Sequence, residues 1–269
     1  MIFVSFNVNG IRTRFHQLEA VIERYQPELI GLQAIKVQDA DFPEQEIRDL
    51  GYHIVYYGQK THYGVALMSK SPLLDVELGF PANGEDQQRR LIQGTLPTSM
   101  GDIRVINGYF PQGESRDHAV KFPGKTAFYR DLITMMHGRY NSRDPILLMG
   151  DFNVAPVDED IGIGDDNAKR WLKTGKCSFL PEEREWFQSL ISWGMTDTYR
   201  MIYPNATDRY SWFDYRSRGF EREPRRGLRI DHILASDALK DHCKDAGIDD
   251  EIRGMERPSD HCPVWLNVS

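Results

Sequence analysis

The sequence predicts an α/β protein: short apolar runs alternate with amphipathic helical stretches, and no Ser/Gly-rich linker divides the chain. Its 269 residues are taken as one domain spanning 1–269, long enough to bury a substantial core. Strands are predicted at residues 2–8, 29–33, 54–57, 64–69, 90–94, 103–109, 145–150, 229–234 and 264–268. The first helix, 15–25, carries Leu18, Val21, Ile22 and Tyr25 on one stripe and is stopped by Pro27. Further helices fall at 125–137 and 182–193, the latter started by Pro181 and ended by Gly194. Phe6-Asn7-Val8 and Phe152-Asn153-Val154 each close a predicted strand, an internal echo that suits two similar halves facing a shared site.

Hydrophobic residues make up 40% and charged residues 27%, a composition that excludes a disordered chain. The formal net charge of -7 is opposite to that of a protein gripping nucleic acid through bulk charge, so any DNA site must be local. Cys177, Cys243 and Cys262 contain no C-x-x-C pair, which excludes a zinc ribbon and a disulfide framework. A reducing compartment follows. With a first strand at the N-terminus, no basic leader and no apolar run near the roughly 18 residues of a membrane helix, the expectation is a cytoplasmic protein without membrane contact.

The strand 145–150 ends in Gly150-Asp151-Phe152-Asn153, placing a carboxylate and an amide where ligand sites of α/β sheets gather. Asp151 and Asn153, two apart, point to one side of an extended backbone. Leu228-Arg229-Ile230 reads as strand leading into Asp231-His232, and Ser259-Asp260-His261 precedes the last strand. A buried acid beside a histidine fixes its tautomer and supports its cation, which suits work on a phosphate. Asn7 and Asn9 end the first strand, and Tyr109 ends another. Together these groups could hold a hard cation and orient a water on a phosphodiester. Oxygen-rich ligands without a thiolate cluster point to Mg²⁺ or Mn²⁺. Arg216, Arg218, Arg222, Arg225, Arg226 and Arg229 follow Trp212 and Phe213, a mixture suited to phosphates plus a stacked or wedged ring.

Ser5-Phe6-Asn7-Val8-Asn9-Gly10, Asn107-Gly108-Tyr109-Phe110-Pro111-Gln112-Gly113, Gly150-Asp151-Phe152-Asn153 and Ser259-Asp260-His261 resemble, in order and spacing, the exonuclease III family of apurinic/apyrimidinic DNA repair nucleases. The run from Arg209 to Arg216, Arg-Tyr-Ser-Trp-Phe-Asp-Tyr-Arg, is similar to that branch and argues against a relative acting on lipid head groups or inositol phosphates. The resemblance implies a four-layered α/β sandwich, with two mixed β-sheets face to face and helices outside. It implies a monomer acting on double-stranded DNA at abasic sites and 3′ ends, as 3′ to 5′ exonuclease, abasic-site endonuclease and 3′-phosphatase. By resemblance Asp151 activates the attacking water, Asn153 orients it, and His261 paired with Asp231 contacts the phosphate. Asn7, Tyr109 and Asp260 complete the pocket, and Asn7, Asp151, Asn153, Asp260 and His261 surround the ion. Trp212 lies by the scissile nucleotide with Phe213 and Arg216, while Arg90, Gln112 and Lys121 touch the DNA backbone.

One position departs from this pattern. Where the family places its metal-binding glutamate after the strand 29–33, the chain reads Leu32-Gln33-Ala34-Ile35-Lys36. A methyl group binds no cation, and Gln33 faces the opposite side of the strand. The expected consequence is an impaired nuclease; the competing reading is a damaged-DNA-binding protein that does not cut.

Overall fold

The computed structural model describes residues 1–84 and 87–269. Among the described residues twelve strands are found: β1 (Ile2–Asn7), β2 (Leu29–Gln33), β3 (His53–Tyr57), β4 (Val65–Ser69), β5 (Leu74–Leu78), β6 (Leu91–Leu96), β7 (Ile103–Tyr109), β8 (Ile146–Asp151), β9 (Met195–Asp197), β10 (Asp231–Ser236), β11 (Cys243–Ile248) and β12 (Val264–Val268). They form two six-stranded sheets, in the orders β11-β12-β1-β2-β4-β3 and β5-β6-β7-β8-β10-β9. Both are mixed. Each holds one parallel pair, β1 with β2 and β7 with β8, and the C-terminal ends of these pairs carry the residues singled out above.

Strands buried on both faces distribute alternate side chains between two cores. Phe3, Leu29, Val65 and Leu67 meet Val105, Leu147 and Met149 of the other sheet in a central apolar layer. Their neighbours Val4, Phe6, Ile30, Leu32 and Ala66 face outward, against Leu18, Val21 and Ile22 of the helix Phe15–Tyr25. On the far side Ile106, Leu148 and Phe152 pack on Tyr129 and Leu132 of the helix Lys121–Arg139 and on Phe187 and Leu190 of the helix Pro181–Trp193. Three apolar layers therefore separate four layers of secondary structure, as expected.

The central layer turns polar toward the site. Gln33 Nε2 donates to Ser5 Oγ (3.0 Å) and Asn107 Oδ1 (2.6 Å), and Asn107 Nδ2 donates to the carbonyls of Leu32 and Ala66 (3.0 Å each). These amides tie the two sheets together beneath the strand ends. Gly31 makes the approach possible: a Cβ there would stand 2.8 Å from Met149 Sδ and 3.0 Å from Asn107 Cγ.

Two expectations change. The tenth strand begins at Asp231 rather than 229, because Leu228 makes only isolated bridges, to Ile161 and Trp212. Asp231 therefore opens its strand, antiparallel to β8 and directly opposite Asp151. The internal echo does not give equivalent positions either. Asn7 closes β1, whereas Asn153 lies two residues beyond β8, and it is Asn7 and Asp151 that face each other across the sheets. Among the described residues, no helix is long and apolar enough to cross a membrane.

Candidate active site

Asp151, at the end of β8, is the hub. Its Oδ2 accepts from Asn7 Nδ2 at 2.9 Å and its Oδ1 from the Asn153 backbone amide at 3.0 Å. Asn153 adopts a left-handed backbone (φ 52°) and anchors its Nδ2 on the Phe110 carbonyl at 2.9 Å, so it does not continue the strand pleat. His261 places Nδ1 at 2.8 Å from Asp231 Oδ2 and Nε2 at 3.8 Å from Asp151 Oδ2. Ser259 locks this end: its Oγ donates to the Asn7 carbonyl (2.6 Å) and accepts from the His261 amide (3.2 Å).

These groups share one buried charge cluster. Burial alone would lower His261, but the carboxylates of Asp231 and Asp151 outweigh it and push its pKa up to about 10. Burial pushes Asp151 up to about 7, with His261 opposing the rise and Asp231 adding to it. Of the two, the histidine is the member held charged. Tyr109 lies beside Asp151 in the parallel register, and burial raises its hydroxyl well above the usual range. A protonated phenol at that position can donate to a phosphate oxygen.

Arg90 is largely enclosed, its guanidinium 3.8 Å from the Tyr63 ring centre and 4.9 Å from that of Tyr109, with Nη1 donating to the Tyr109 carbonyl at 3.0 Å. Tyr63, which sequence reasoning missed, completes this stack. With exposed Gln112 and Lys121, Arg90 lines a cavity of about 420 Å³ floored by Phe80 and Phe128. Lys121 is paired with Glu114 at 2.5 Å.

On the other side Trp212 is half-buried and donates through Nε1 to Asp260 Oδ2 at 3.1 Å, while Asp260 Oδ1 accepts from Asn9 Nδ2 at 2.8 Å. Both Asp260 oxygens are thus committed within the protein. The expectation that Phe213 presents its ring to DNA is corrected: it is 2% exposed and packed edge-on against Tyr210 and Phe220. Arg216, Arg218, Arg222 and Arg226 are exposed as expected, but Arg225 pairs with Asp250 and Arg229 is buried.

Arg229 instead organises a buried network that reaches His232, the residue after Asp231. It donates to both oxygens of Asp160 (2.7 and 2.9 Å), to Asp197 (2.6 Å) and to His232 Nδ1 (3.0 Å). Burial first, then the arginine charge, depress His232 to about 4, so it is neutral at pH 7. With Nδ1 accepting from Arg229, its proton sits on Nε2 and donates to the Val154 carbonyl at 2.9 Å. Asp160 and Asp197, far apart in sequence and in no motif, gave no signal of this network.

Asp151, Asp231 and His261 bring ligand atoms within 4.8 Å of one another, the sole such cluster found among the described residues. Asp231 Oδ1 is buried and has no hydrogen-bond partner. Carboxylate and amide oxygens suit a hard cation, so the donor set fits in kind. It is short in number. Ala34 lies one residue past β2, 1% exposed, with its carbonyl accepting from Gly10 N at 2.8 Å. Its φ of 51° is a left-handed conformation that costs an L-residue roughly 1–2 kcal/mol, and the methyl group makes no polar contact in return.

The sequence model described as the Endonuclease/Exonuclease/phosphatase family matches residues 4–261. The chain belongs to this family. It is 56% identical over 265 residues to exodeoxyribonuclease III of Haemophilus influenzae, covering 98% of each chain. Its structure is similar to that of a 3′ phosphatase from Neisseria bound to product DNA hairpin (TM-score 0.90, 37% identity, covering 100% of this chain and 99% of the other). It is also similar to an AP endonuclease from Archaeoglobus fulgidus (TM-score 0.90, 32% identity, covering 100% and 99%). The two mixed six-stranded sheets with helices around them are this family's fold.

Proposed function

We propose that this chain is a DNA repair phosphodiesterase acting on duplex DNA, as 3′ to 5′ exonuclease, abasic-site endonuclease and 3′-phosphatase, with its rate curtailed by Ala34. The observation that carries the reading is the convergence of Asp151–Asn7 and Asp231–His261 on one cluster, flanked by the Trp212 indole. Its relatives' names, exodeoxyribonuclease III, 3′ phosphatase and AP endonuclease, support the three activities. Buried thiols at Cys177, Cys243 and Cys262 suit the reducing cytoplasm, where we place a monomer.

In this reading Asp151, raised toward neutrality, accepts the proton of the attacking water, and the Asn153 turn fixes the carboxylate that receives it. His261, held cationic by Asp231, offers Nε2–H to a phosphate oxygen as charge builds there. Asn7 holds the second oxygen of Asp151, so the carboxylate cannot rotate away. Asn7, Asp151, Asp231 and Asn153 would hold Mg²⁺ or Mn²⁺, which when bound supplies charge neutralisation at the phosphate and the leaving oxygen. Asp260, whose oxygens each accept one bond, from Asn9 and Trp212, keeps lone pairs through which it would join that set.

The half-buried Trp212 and the exposed arginines make DNA binding separable from cutting. Binding should survive in the unmodified chain, with log K falling by roughly 0.9 per phosphate neutralised as log salt rises. Trp212→Ala should weaken it further, by roughly 1–3 kcal/mol if a base stacks there. Fluorescence anisotropy of a labelled abasic duplex at several salt concentrations checks this. Salt-independent binding, or unchanged affinity without the indole, removes Trp212 and the arginines from the account. The methyl group at position 34 favours one second reading, a protein that binds damaged ends without cutting. A cleavage assay run beside the binding assay separates the two.

A further inference from the structure

Lys125 is a charge with no access to solvent. It lies on the helix Lys121–Arg139 in the same buried stripe as Phe128, Tyr129, Leu132 and Met136, where helical spacing alone would place an apolar residue. Its ammonium has three protons and three acceptors: Glu183 Oε1 at 2.5 Å, the Asn153 carbonyl at 2.9 Å and the Gln112 carbonyl at 3.3 Å. Glu183 is equally committed, its Oε2 accepting the backbone amides of Ser178 and Leu180 at 2.8 Å each. One turn along the helix, Tyr129 donates to the Phe152 carbonyl at 2.8 Å. Two successive carbonyls of the loop after β8 are therefore held by one helix face.

The loop on the DNA side is fitted to the same lysine. Gly113 has φ +85°, and a Cβ there would lie 3.0 Å from Lys125 Cδ and 2.9 Å from Cys177 Sγ, so the turn after Gln112 rests directly on the lysine stem. A well-packed apolar pair would serve stability as well as a buried ion pair does. What an apolar pair lacks is direction. The ammonium fixes where the Asn153 carbonyl points, the Asn153 amide fixes Asp151 Oδ1, and Asn153 holds a left-handed backbone that needs external support.

We propose that Lys125 is a positioning residue for strand cleavage: paired with Glu183, it holds the Asn153 turn, and through it the Asp151 carboxylate, in one frame with the Gln112 loop that meets DNA. The proposal rests on the reading of Asp151 and Asn153 given above. Its reach falls mainly on the chemical step, because the bond to Asn153 is shorter and better formed than the bond to Gln112.

The test uses Lys125→Met combined with Glu183→Gln, because Lys125→Met alone leaves a buried carboxylate unpaired, which destabilises the fold. Two readouts are taken on the full chain: amide hydrogen exchange, and kcat and KM on a duplex with one abasic site, measured with Mn²⁺ in the unmodified chain and again with Ala34→Glu. The expected result is exchange accelerated about tenfold or more at residues 111–114 and 150–155 and unchanged in the strands. With it, kcat should drop about 10- to 100-fold, as for a roughly 1 Å misplacement, while KM moves less than about threefold. Exchange raised throughout the protein, or kcat unchanged in the folded variant, overturns the proposal and leaves Lys125 a stabilising residue. Asn153→Ala run in parallel keeps the two ideas apart. If that variant cuts at the parent rate, the reading of Asn153 fails; if it is crippled while the double variant is not, the role of Lys125 fails.

Discussion

Ala34→Glu is expected to raise cleavage of an abasic duplex at low Mg²⁺ by about 10- to 100-fold or more. That is the range in which loss of groups merely supporting a metal ligand is felt. The site keeps Asp151 and Asp231 as carboxylates, with Asp260 anchored on Asn9 and Trp212 at its rim, and otherwise offers neutral amides. Mg²⁺ sheds hydration water reluctantly and is usually held by one or two carboxylates plus substrate phosphates. The present set sits near the lower limit. Position 34 already has its left-handed backbone, so glutamate brings no conformational cost that alanine does not already carry. It stands one residue past β2, next to Gln33, the strand partner of Asn7, whose amide contacts Asp151. Initial rates of both proteins across a Mg²⁺ titration measure the effect, and high Mg²⁺ or Mn²⁺ should recover part of the rate in the unmodified chain. Equal rates at low Mg²⁺ would show that the ion is held without residue 34.

In the Ala34→Glu background, His261→Ala should remove most cleavage, by about 10²- to 10⁴-fold, with DNA affinity little changed. The imidazole is kept charged against its own burial by Asp231 and Asp151, so Asp231→Asn should return it toward the neutral form and cost activity as well. The same shift predicts stability. A histidine whose folded pKa is raised contributes stability that is fully present below its unfolded value near 6.5 and is lost as pH rises through about 10. The unmodified chain should therefore exceed Asp231→Asn in urea midpoint most at about pH 6, and the gap should narrow steadily toward pH 10. A gap that is flat with pH would mean that His261 carries no extra proton in the folded protein.

Much of this site could be read from the sequence because its parts sit at the ends of buried apolar runs. The runs 29–33 and 103–109 and the final strand 264–268 match observed strands residue for residue. Strands lacking that contrast were not foreseen. Leu74–Leu78 is an exposed edge with charges on alternate positions, Cys243–Ile248 is partly exposed and polar, and Met195–Asp197 is three residues long. Motifs named Asn7, Asp151, Asp231 and His261, but not which atoms meet. The Asn7–Asp151 bond spans 144 residues and the Asp260–Trp212 bond 48, distances over which local pattern is silent. The arginine run misled for the same reason. Arg229 looks like its neighbours in sequence, yet Asp160 and Asp197 draw it into the interior while Arg216 stays outside. Lys125, a lysine on an apolar stripe, was an anomaly that helical spacing could have flagged, as was Glu183.

The central claim is that the cluster around Asp151 cuts DNA with the help of a divalent ion. It is tested most directly by incubating a labelled duplex carrying one abasic site with the unmodified chain and with Asp151→Asn, each in Mg²⁺ and in EDTA. Slow incision at the abasic site by the unmodified chain in Mg²⁺, abolished by EDTA and by Asp151→Asn while both proteins still shift the duplex, is the result expected. Incision that persists in EDTA, or at the parent rate in Asp151→Asn, would contradict it.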